Sequence, residues 1–123
     1  MGLLLAVGCG GLLGAPSRYL VDRAVSGRIE SDLPWGTFLV NVSGSLLLGL
    51  LTGLSLTHHL APTTKALLAT GFCGAYTTFS TFSFETVRLL EEGRLLQAAT
   101  NVGASVVFGL LAAGAGLALG LVL

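Results

Sequence analysis

The chain alternates long apolar runs with short polar stretches, and the apolar runs have the length of membrane-spanning helices. A spanning helix needs about 20 mostly apolar residues. Four runs meet this requirement, and the stretches between them contain charged residues, histidine or proline. The predicted spans are residues 2–21, 35–56, 63–90 and 95–123. The pattern predicts an all-α membrane protein in which residues 1–123 form a single transmembrane domain.

Composition supports this prediction and excludes several classes of function. Only 10% of the residues are charged, against about 25% in soluble domains, and 53% are hydrophobic. The net charge is zero without a basic run, so we expect no nucleic-acid partner. No histidine dyad at membrane depth, metal cluster or cofactor loop is recognisable, so we predict that the protein is not an enzyme. We expect no cleavable signal peptide, since no basic region precedes the first apolar run.

The third apolar segment contains the most informative tract of the chain. Residues 74–86 read Gly-Ala-Tyr-Thr-Thr-Phe-Ser-Thr-Phe-Ser-Phe-Glu-Thr, in which hydroxyl side chains alternate with phenylalanine rings. Lipid offers no hydrogen-bond partners, so polar groups at this depth indicate a pathway or a protein-packed interior. The tract therefore indicates a route for something small and polar, bounded by aromatic walls.

The same segment is predicted to be broken. Glycine and consecutive hydroxyl-bearing or β-branched residues are poor helix formers, which predicts a non-helical break near Gly74–Thr78. A break at membrane depth requires surrounding protein or a water-filled cavity. The carbonyl groups that it frees are suited to hold a cation.

Small or polar residues recur every four positions in the other three segments, which places them on one helix face. Such faces allow close approach of helix backbones. Segment two has Thr37, Asn41, Ser45, Gly49 and Gly53, segment one has Ala6, Gly10, Gly14 and Arg18, and segment four has Asn101, Ser105, Gly109 and Ala113. Since four helices provide little protein to enclose a pore, we expect a homo-oligomer in which the breaks meet at the subunit interface.

Four blocks of the sequence resemble the Fluc (CrcB) family of fluoride ion channels. They are residues 10–19 (Gly-Gly-Leu-Leu-Gly-Ala-Pro-Ser-Arg-Tyr), 36–44 (Gly-Thr-Phe-Leu-Val-Asn-Val-Ser-Gly), 71–83 (Gly-Phe-Cys-Gly-Ala-Tyr-Thr-Thr-Phe-Ser-Thr-Phe-Ser) and Glu85. The resemblance implies an antiparallel, dual-topology dimer of four-helix subunits with two fluoride pores. It also implies a structural sodium ion, Na⁺, between the subunits.

The resemblance also implies roles for individual residues. The implied fluoride pore residues are Asn41, Phe79, Phe82, Ser80 and Thr81. Those implied for the vestibule and a polar track are Arg18, Glu85 and Ser105. Those implied to hold sodium through backbone carbonyls are Gly74 and Thr77. At one position where the family often has tyrosine, this chain has Asn101, and its role is left open.

The chemistry of these side chains is compatible with an anion pathway. Fluoride is strongly hydrated, and amide N–H and hydroxyl groups donate hydrogen bonds that replace its water. Aromatic rings carry positive potential at their edges, and apolar walls keep each site weak enough for the ion to leave. No lysine or arginine lies in the middle of segments two, three or four, so no fixed positive charge retains the ion there.

Structural interpretations of the same residues stay open. Asn41 is also suited to link two helices through a hydrogen bond, and Phe79 and Phe82 are suited to pack. Hydroxyls within a helix often bond a carbonyl of their own helix. This alternative applies to Ser80, Thr81 and Ser83.

The charged candidates have alternatives as well. Arg18 is placed to snorkel towards the membrane interface or to pair with Asp22 four residues later. Glu85 is placed to anchor a helix end near water. His58 and His59 are expected to lie in a solvated loop. Two neighbouring histidines without further ligands do not form a metal site.

Three functions are compatible with a four-helix membrane protein. The first is a fluoride-selective channel for passive efflux across the inner (plasma) membrane, with fluoride and membrane lipid as partners. The second is a small secondary transporter, which usually needs a carboxylate deep in a helix that this chain lacks. The third is a helix-packing subunit of a larger complex, which explains the glycine stripes but not the polar phenylalanine tract.

The orientation of the chain bears on its second subunit. Arg23, Arg28, Arg88 and Arg94 lie on the side of loops one and three, while the opposite side has only Lys65. The positive-inside rule places the arginine-rich side in the cytoplasm. Because this bias departs from dual topology, the expected partner is either a second copy or a paralogue of opposite orientation.

Overall fold

The computed structural model describes residues 1–123 as an all-helical fold without strands. The α-helices in chain order are α1 (Gly2–Ser26), α2 (Trp35–His58), α3 (Pro62–Lys65), α4 (Gly74–Tyr76), α5 (Phe79–Glu91) and α6 (Leu95–Val122). Between α3 and α4 lies a π-helical segment, Ala66–Cys73. The predicted fold class, an all-α membrane protein with four crossings of which the third is broken, is confirmed.

Three helices, α1, α2 and α6, are each long and apolar enough to cross a membrane as a single element. At a rise of about 1.5 Å per residue, a helix of this length exceeds the hydrocarbon thickness of about 30 Å. α1 continues to Ser26 instead of ending near Val21, so the polar loop that follows it is shorter than the sequence suggested. The remaining crossing consists of α3, the π-helical segment, α4 and α5 in succession.

The break in the third crossing is confined to two residues. Thr77 (φ −79°, ψ 159°) and Thr78 (φ −148°, ψ 119°) have extended backbone conformations, whereas Gly74 is helical. β-branched side chains favour extended conformations over helix, which explains why the interruption falls on the threonine pair. The π-helical segment ends at Cys73, and the three residues of α4 separate it from the break. π-helical turns are frequently found near functional sites.

Helices α2 and α6 run in the same direction and pack closely along their glycine positions. A Cβ atom built on Gly53 would lie 2.6 Å from the Leu117 carbonyl oxygen and 2.8 Å from Gly120 Cα. Gly49 and Gly116 likewise leave no room for a Cβ against the facing backbone. Two backbones approach this closely only where the side chain is a hydrogen atom, as in small-xxx-small packing of membrane helices.

The first helix packs on the π-helical segment in the same manner. A Cβ atom on Gly10 would lie 2.7 Å from the Phe72 backbone nitrogen, and one on Gly71 would lie 2.6 Å from the Val7 carbonyl oxygen. Gly8, two residues before Gly10, has no atom within 4 Å of such a Cβ. These contacts fix the π-helical segment against α1 and thereby fix the position of the break that follows it.

Candidate functional site

A groove with a volume of about 590 Å³ lies between α2, the broken third crossing and α6. It brings together most of the residues that the sequence singled out. They are Asn41, Gly74, Thr77, Phe79, Phe82 and Ser105. Ser45, Thr70 and Thr78 add polar groups to the same wall, and Leu48 and Val106 add apolar ones. The groove thus combines hydrogen-bonding groups, aromatic rings and aliphatic surface at membrane depth.

Both the nitrogen and the oxygen of the Asn41 side-chain amide, on α2, are hydrogen-bonded to the backbone of Thr78 in the break. Its Nδ2 donates to the Thr78 carbonyl at 2.9 Å, and the Thr78 N–H donates to its Oδ1 at 2.8 Å. Thr78 therefore finds on Asn41 the partners that an unbroken helix would have supplied. Asn41 links two helices, as one interpretation of the sequence proposed, and it also lines the groove.

Thr78 caps the N-terminus of α5. Its Oγ1 accepts a hydrogen bond from the Thr81 N–H at 3.1 Å and donates to Thr81 Oγ1 at 3.0 Å. Threonine is a favoured N-cap residue because its oxygen satisfies a free N–H of the first turn. Ser80, Thr81 and Ser83 do not bond carbonyls of their own helix, whereas Thr86 does, donating to the Phe82 carbonyl at 2.8 Å.

The two groove phenylalanines lie next to each other one turn apart on α5. The ring centroids of Phe79 and Phe82 are 6.0 Å apart, and the ring planes are tilted by 43°. Phe79 is 79% exposed, whereas Phe82 is partly buried. Both rings line the groove, and the edge of an aromatic ring carries positive potential.

The break leaves backbone acceptors without helical donors. The Thr77 carbonyl receives no hydrogen bond, and the Thr78 N–H that would reach the Gly74 carbonyl in a continuous helix donates to Asn41 instead. Both residues line the groove. Carbonyl oxygens of unwound membrane helices are established ligands of sodium, so the donor set at Gly74 and Thr77 fits this cation.

Four of the predicted residues lie outside the groove: Arg18, Ser80, Thr81 and Glu85. Arg18 and Thr81 line a separate pocket of about 200 Å³ together with Asp22 and Thr37. Arg18 forms no ion pair with Asp22, whose Oδ1 instead accepts a hydrogen bond from Ser26 at 3.3 Å. The pocket therefore holds a positive charge and hydroxyl groups that attract an anion, together with the Asp22 carboxylate, which is not bound to the arginine.

Glu85 lies in a third cavity, of about 440 Å³, on the side of the arginine-rich loops. Its Oε1 is buried and has no hydrogen-bond partner. The same cavity is lined by Asp32, Arg88 and Glu92, where Arg88 Nε lies 3.2 Å from Glu92 Oε1. Glu85 is thus separated from the groove, and Ser80 is exposed without lining the groove.

Asn101 has a local role that the sequence left open. It is 5% exposed, and its Nδ2 donates to Thr86 Oγ1 at 2.9 Å, which ties α6 to α5.

Reasoning from the sequence missed Thr78, which lay inside the predicted break, and Thr37, which was recognised only as part of a stripe with four-residue spacing. It also missed the contact between Ser43 Oγ and the Tyr76 hydroxyl at 2.9 Å. Pairing across 33 residues leaves no periodic signal.

The groove lining contains no ionisable carboxylate, lysine or arginine. An amide, hydroxyls and ring edges bind an anion weakly in such surroundings, and neighbouring aliphatic groups do not retain it. The arrangement is therefore suited to passing an anion and lacks the membrane-embedded carboxylate that a proton-coupled transporter requires.

Comparison with known proteins gives a consistent result. The family model described as "CrcB-like protein, Camphor Resistance (CrcB)" matches residues 5–117. The chain is 53% identical over 112 residues to "Fluoride-specific ion channel FluC 1" of Streptomyces avermitilis, covering 91% of this chain and 90% of the relative. It is 50% identical over 121 residues to a protein of the same name from Frankia casuarinae, covering 93% and 94%, respectively.

Proposed function

Because the chain belongs to the CrcB family, we propose that it is a fluoride-selective channel that allows passive fluoride efflux across the plasma membrane. Close relatives named as fluoride-specific ion channels support this function. An ion channel is not an enzyme class, and the three long apolar helices make the chain a membrane protein. The plasma, or inner, membrane is the location in which such efflux protects a cell.

The observation that carries this proposal is the meeting of Asn41, Phe79 and Phe82 in one uncharged groove beside the break. Fluoride accepts hydrogen bonds strongly, so a path for it needs donors in place of water. Asn41 supplies an N–H, Ser105 supplies a hydroxyl, and the phenylalanine edges supply positive potential between them. Arg18, outside the groove, attracts anions without trapping them within it.

In this proposal Thr81 and Ser80 carry further donors on α5, outside the groove, and Glu85 belongs to a polar track towards the loops. Thr81 shares its pocket with Arg18, which places a hydroxyl next to a positive charge. Glu85 lies at the inner end of the cavity under the loops. A fluoride ion would therefore pass between the charged groups of the outer cavities, such as Arg18, and the neutral donors of the groove.

A structural sodium ion, held by the carbonyls of Gly74 and Thr77, is part of the proposal. The Thr77 carbonyl without a donor and the interrupted Gly74 bond support it. When bound, the cation supplies a buried positive charge that favours anions nearby. Gly74 and Thr77 both line the groove, where a second subunit would contribute a matching pair of carbonyls.

The groove is also the proposed dimer interface. Phe79 is largely exposed in the single chain, and unpaired carbonyls at membrane depth are costly in contact with lipid. A second subunit that covers the groove would enclose these groups in protein. A homodimer needs chains of both orientations, whereas a single orientation needs a paralogue inserted the opposite way.

We expect the chain to insert with a single orientation, because its arginines are concentrated on one side. Cysteines introduced at Arg28 and, in a separate variant, at His58 can be labelled with an impermeant thiol reagent in intact cells. Since Cys9 is exposed, the test uses a background in which Cys9 is replaced by alanine. Labelling of one site only would support a paralogous partner, and equal labelling of both would support a dual-topology homodimer.

Fluoride efflux from liposomes that contain the purified protein tests the proposed function. The potential is clamped with valinomycin, fluoride is followed with an electrode, and chloride efflux from the same liposomes is the control. Rapid fluoride release with little chloride release is expected. Absence of fluoride release from folded protein, both alone and mixed with its paralogue of opposite orientation, would overturn the assignment.

Replacing either groove phenylalanine with isoleucine is expected to lower fluoride flux by about tenfold without preventing assembly. Isoleucine keeps apolar bulk but lacks the positive ring edge, and a tenfold loss of flux corresponds to a barrier higher by about 1.4 kcal/mol. Phe79→Ile and Phe82→Ile are measured separately by liposome efflux. Phe84→Ile is the matched control, since Phe84 is on the same helix, is 67% exposed and does not line the groove. Wild-type flux in both groove variants would contradict the assignment.

A further inference from the structure

Thr78 is the residue of the break whose every polar group contacts another candidate site residue. Its backbone N–H and carbonyl both bond Asn41, and its hydroxyl bonds Thr81 and lies 3.3 Å from Ser80 Oγ. Thr78 is only 7% exposed. It lines both the groove and the pocket that contains Arg18. Thr78 therefore separates the two cavities and touches donors in each.

The backbone of Thr78 determines which way the Asn41 amide faces. A backbone N–H can only donate, so the atom opposite it must be Oδ1, and a carbonyl can only accept, so the atom opposite it must be Nδ2. The acceptor oxygen of Asn41 is thus occupied at 2.8 Å. One N–H of the amide is left for the groove. Asn41 can offer an anion a donor and cannot turn its repulsive oxygen towards it.

The hydroxyl of Thr78 likewise determines which neighbouring hydroxyl donates and which accepts a hydrogen bond. Its single proton is donated to Thr81 Oγ1 at 3.0 Å, while its oxygen accepts from the Thr81 N–H. Ser80 must then be the donor of the contact to Thr78. The Thr81 hydroxyl proton is left without a protein acceptor, and Thr81 lines the pocket beside Arg18. Since consecutive hydrogen bonds polarise one another, this chain strengthens Thr81 as a donor.

We propose that Thr78 is a positioning residue of the anion pathway, which presents the Asn41 N–H to the groove and the Thr81 hydroxyl proton to the Arg18 pocket. This inference rests on the proposed channel function and deepens it. The Thr78 backbone orients Asn41 whatever side chain residue 78 carries, whereas the Thr78 hydroxyl acts through Thr81, so its contribution depends on the Thr81 hydroxyl being present. A residue that only maintained the fold would show no such dependence.

Thr78→Val and Thr78→Ser separate the hydroxyl from the shape of the side chain. Valine is isosteric and also favours the extended backbone, so the main-chain bonds to Asn41 are retained. Serine keeps the oxygen. We expect liposome fluoride flux to fall by about tenfold in Thr78→Val, as for one lost hydrogen bond to an ion. Thr78→Ser should stay within about threefold of wild type. Equal flux in wild type and Thr78→Val would overturn the proposal while leaving the channel function intact.

A double-mutant cycle with Thr81→Val tests whether Thr78 acts through Thr81. The double variant is expected to conduct within about twofold of Thr81→Val alone, because the hydroxyl that Thr78 directs is already absent. Losses that multiply would overturn the positioning role. If Thr78→Val does not assemble, Thr78→Ala replaces it in the cycle. Failure of both to assemble, with Thr78→Ser intact, would assign the hydroxyl to folding and overturn the proposal. A wild-type protein without fluoride flux would refute the channel function first, and this inference with it.

Discussion

Fluoride flux is expected to fall by about 100-fold or more when Asn41 is replaced by aspartate. The carboxylate places a negative charge in an anion groove, and its second oxygen would face the Thr78 carbonyl where Nδ2 now donates at 2.9 Å. Two acceptors at this distance repel, and together with the repulsion between the half-buried carboxylate and a passing anion we expect the barrier to rise by about 3 kcal/mol. Such an increase in the barrier corresponds to about two orders of magnitude in rate. Liposome efflux measures the effect.

Two variants separate the charge from the loss of the amide. Gln97→Glu makes the same amide-to-carboxylate change in the first turn of α6, outside the groove, where a helix N-terminus tolerates negative charge. It is expected to conduct like wild type. Asn41→Leu removes the amide without adding a charge, and its flux should lie between those of wild type and Asn41→Asp. Undiminished flux through folded Asn41→Asp protein would remove Asn41 from the pathway.

The largest effect on stability is expected from Gly10→Ala, which should destabilise the fold by about 3 kcal/mol. The added methyl group would lie 2.7 Å from the Phe72 backbone nitrogen and even closer to the Leu67 carbonyl. Backbone atoms cannot move aside by changing a rotamer, so the cost lies at the upper end of that for overpacking. Because α1 supports the π-helical segment, its displacement also shifts the break. Thermal unfolding of the purified protein in detergent measures the loss.

Gly8→Ala is the matched control on the same helix. No atom lies within 4 Å of the methyl group that it adds. Alanine favours helix over glycine by up to about 1 kcal/mol, so this variant should be as stable as wild type or slightly more stable. Equal melting temperatures for Gly8→Ala and Gly10→Ala would show that α1 does not pack on the π-helical segment as described.

The break shows how far local sequence carries a structural prediction. Consecutive threonines after glycine disfavour helix, and this preference is a property of the residues themselves. The interruption could therefore be placed within residues 74–78 without any knowledge of neighbours. Its restriction to Thr77 and Thr78 depends on Asn41, which lies 37 residues away along the chain and supplies the missing hydrogen bonds. The π-helical segment before the break had no recognisable signal in the sequence.

In the candidate site too, the sequence identified individual residues, whereas their grouping required the tertiary structure. The phenylalanine and hydroxyl tract identified Phe79, Phe82, Ser80 and Thr81 as candidates. Only the packing of α5 showed that the two phenylalanines line one cavity and Thr81 another. No feature of the sequence distinguished Thr78 beyond its position within the predicted break. Its importance comes from hydrogen bonds to two separate parts of the chain, which no spacing along the sequence expresses.

By itself the sequence determined the four crossings, the position of the break and the family, because apolar length, helix propensity and contiguous motifs are local properties that survive any packing. The tertiary structure alone decided which polar groups share a cavity and which way the Asn41 amide faces. It also decided that Arg18 and Thr81 line a different cavity from the phenylalanines. The physical reason is that hydrogen bonds at membrane depth must be satisfied by whichever group is adjacent in space, and glycine contacts between helices determine that adjacency.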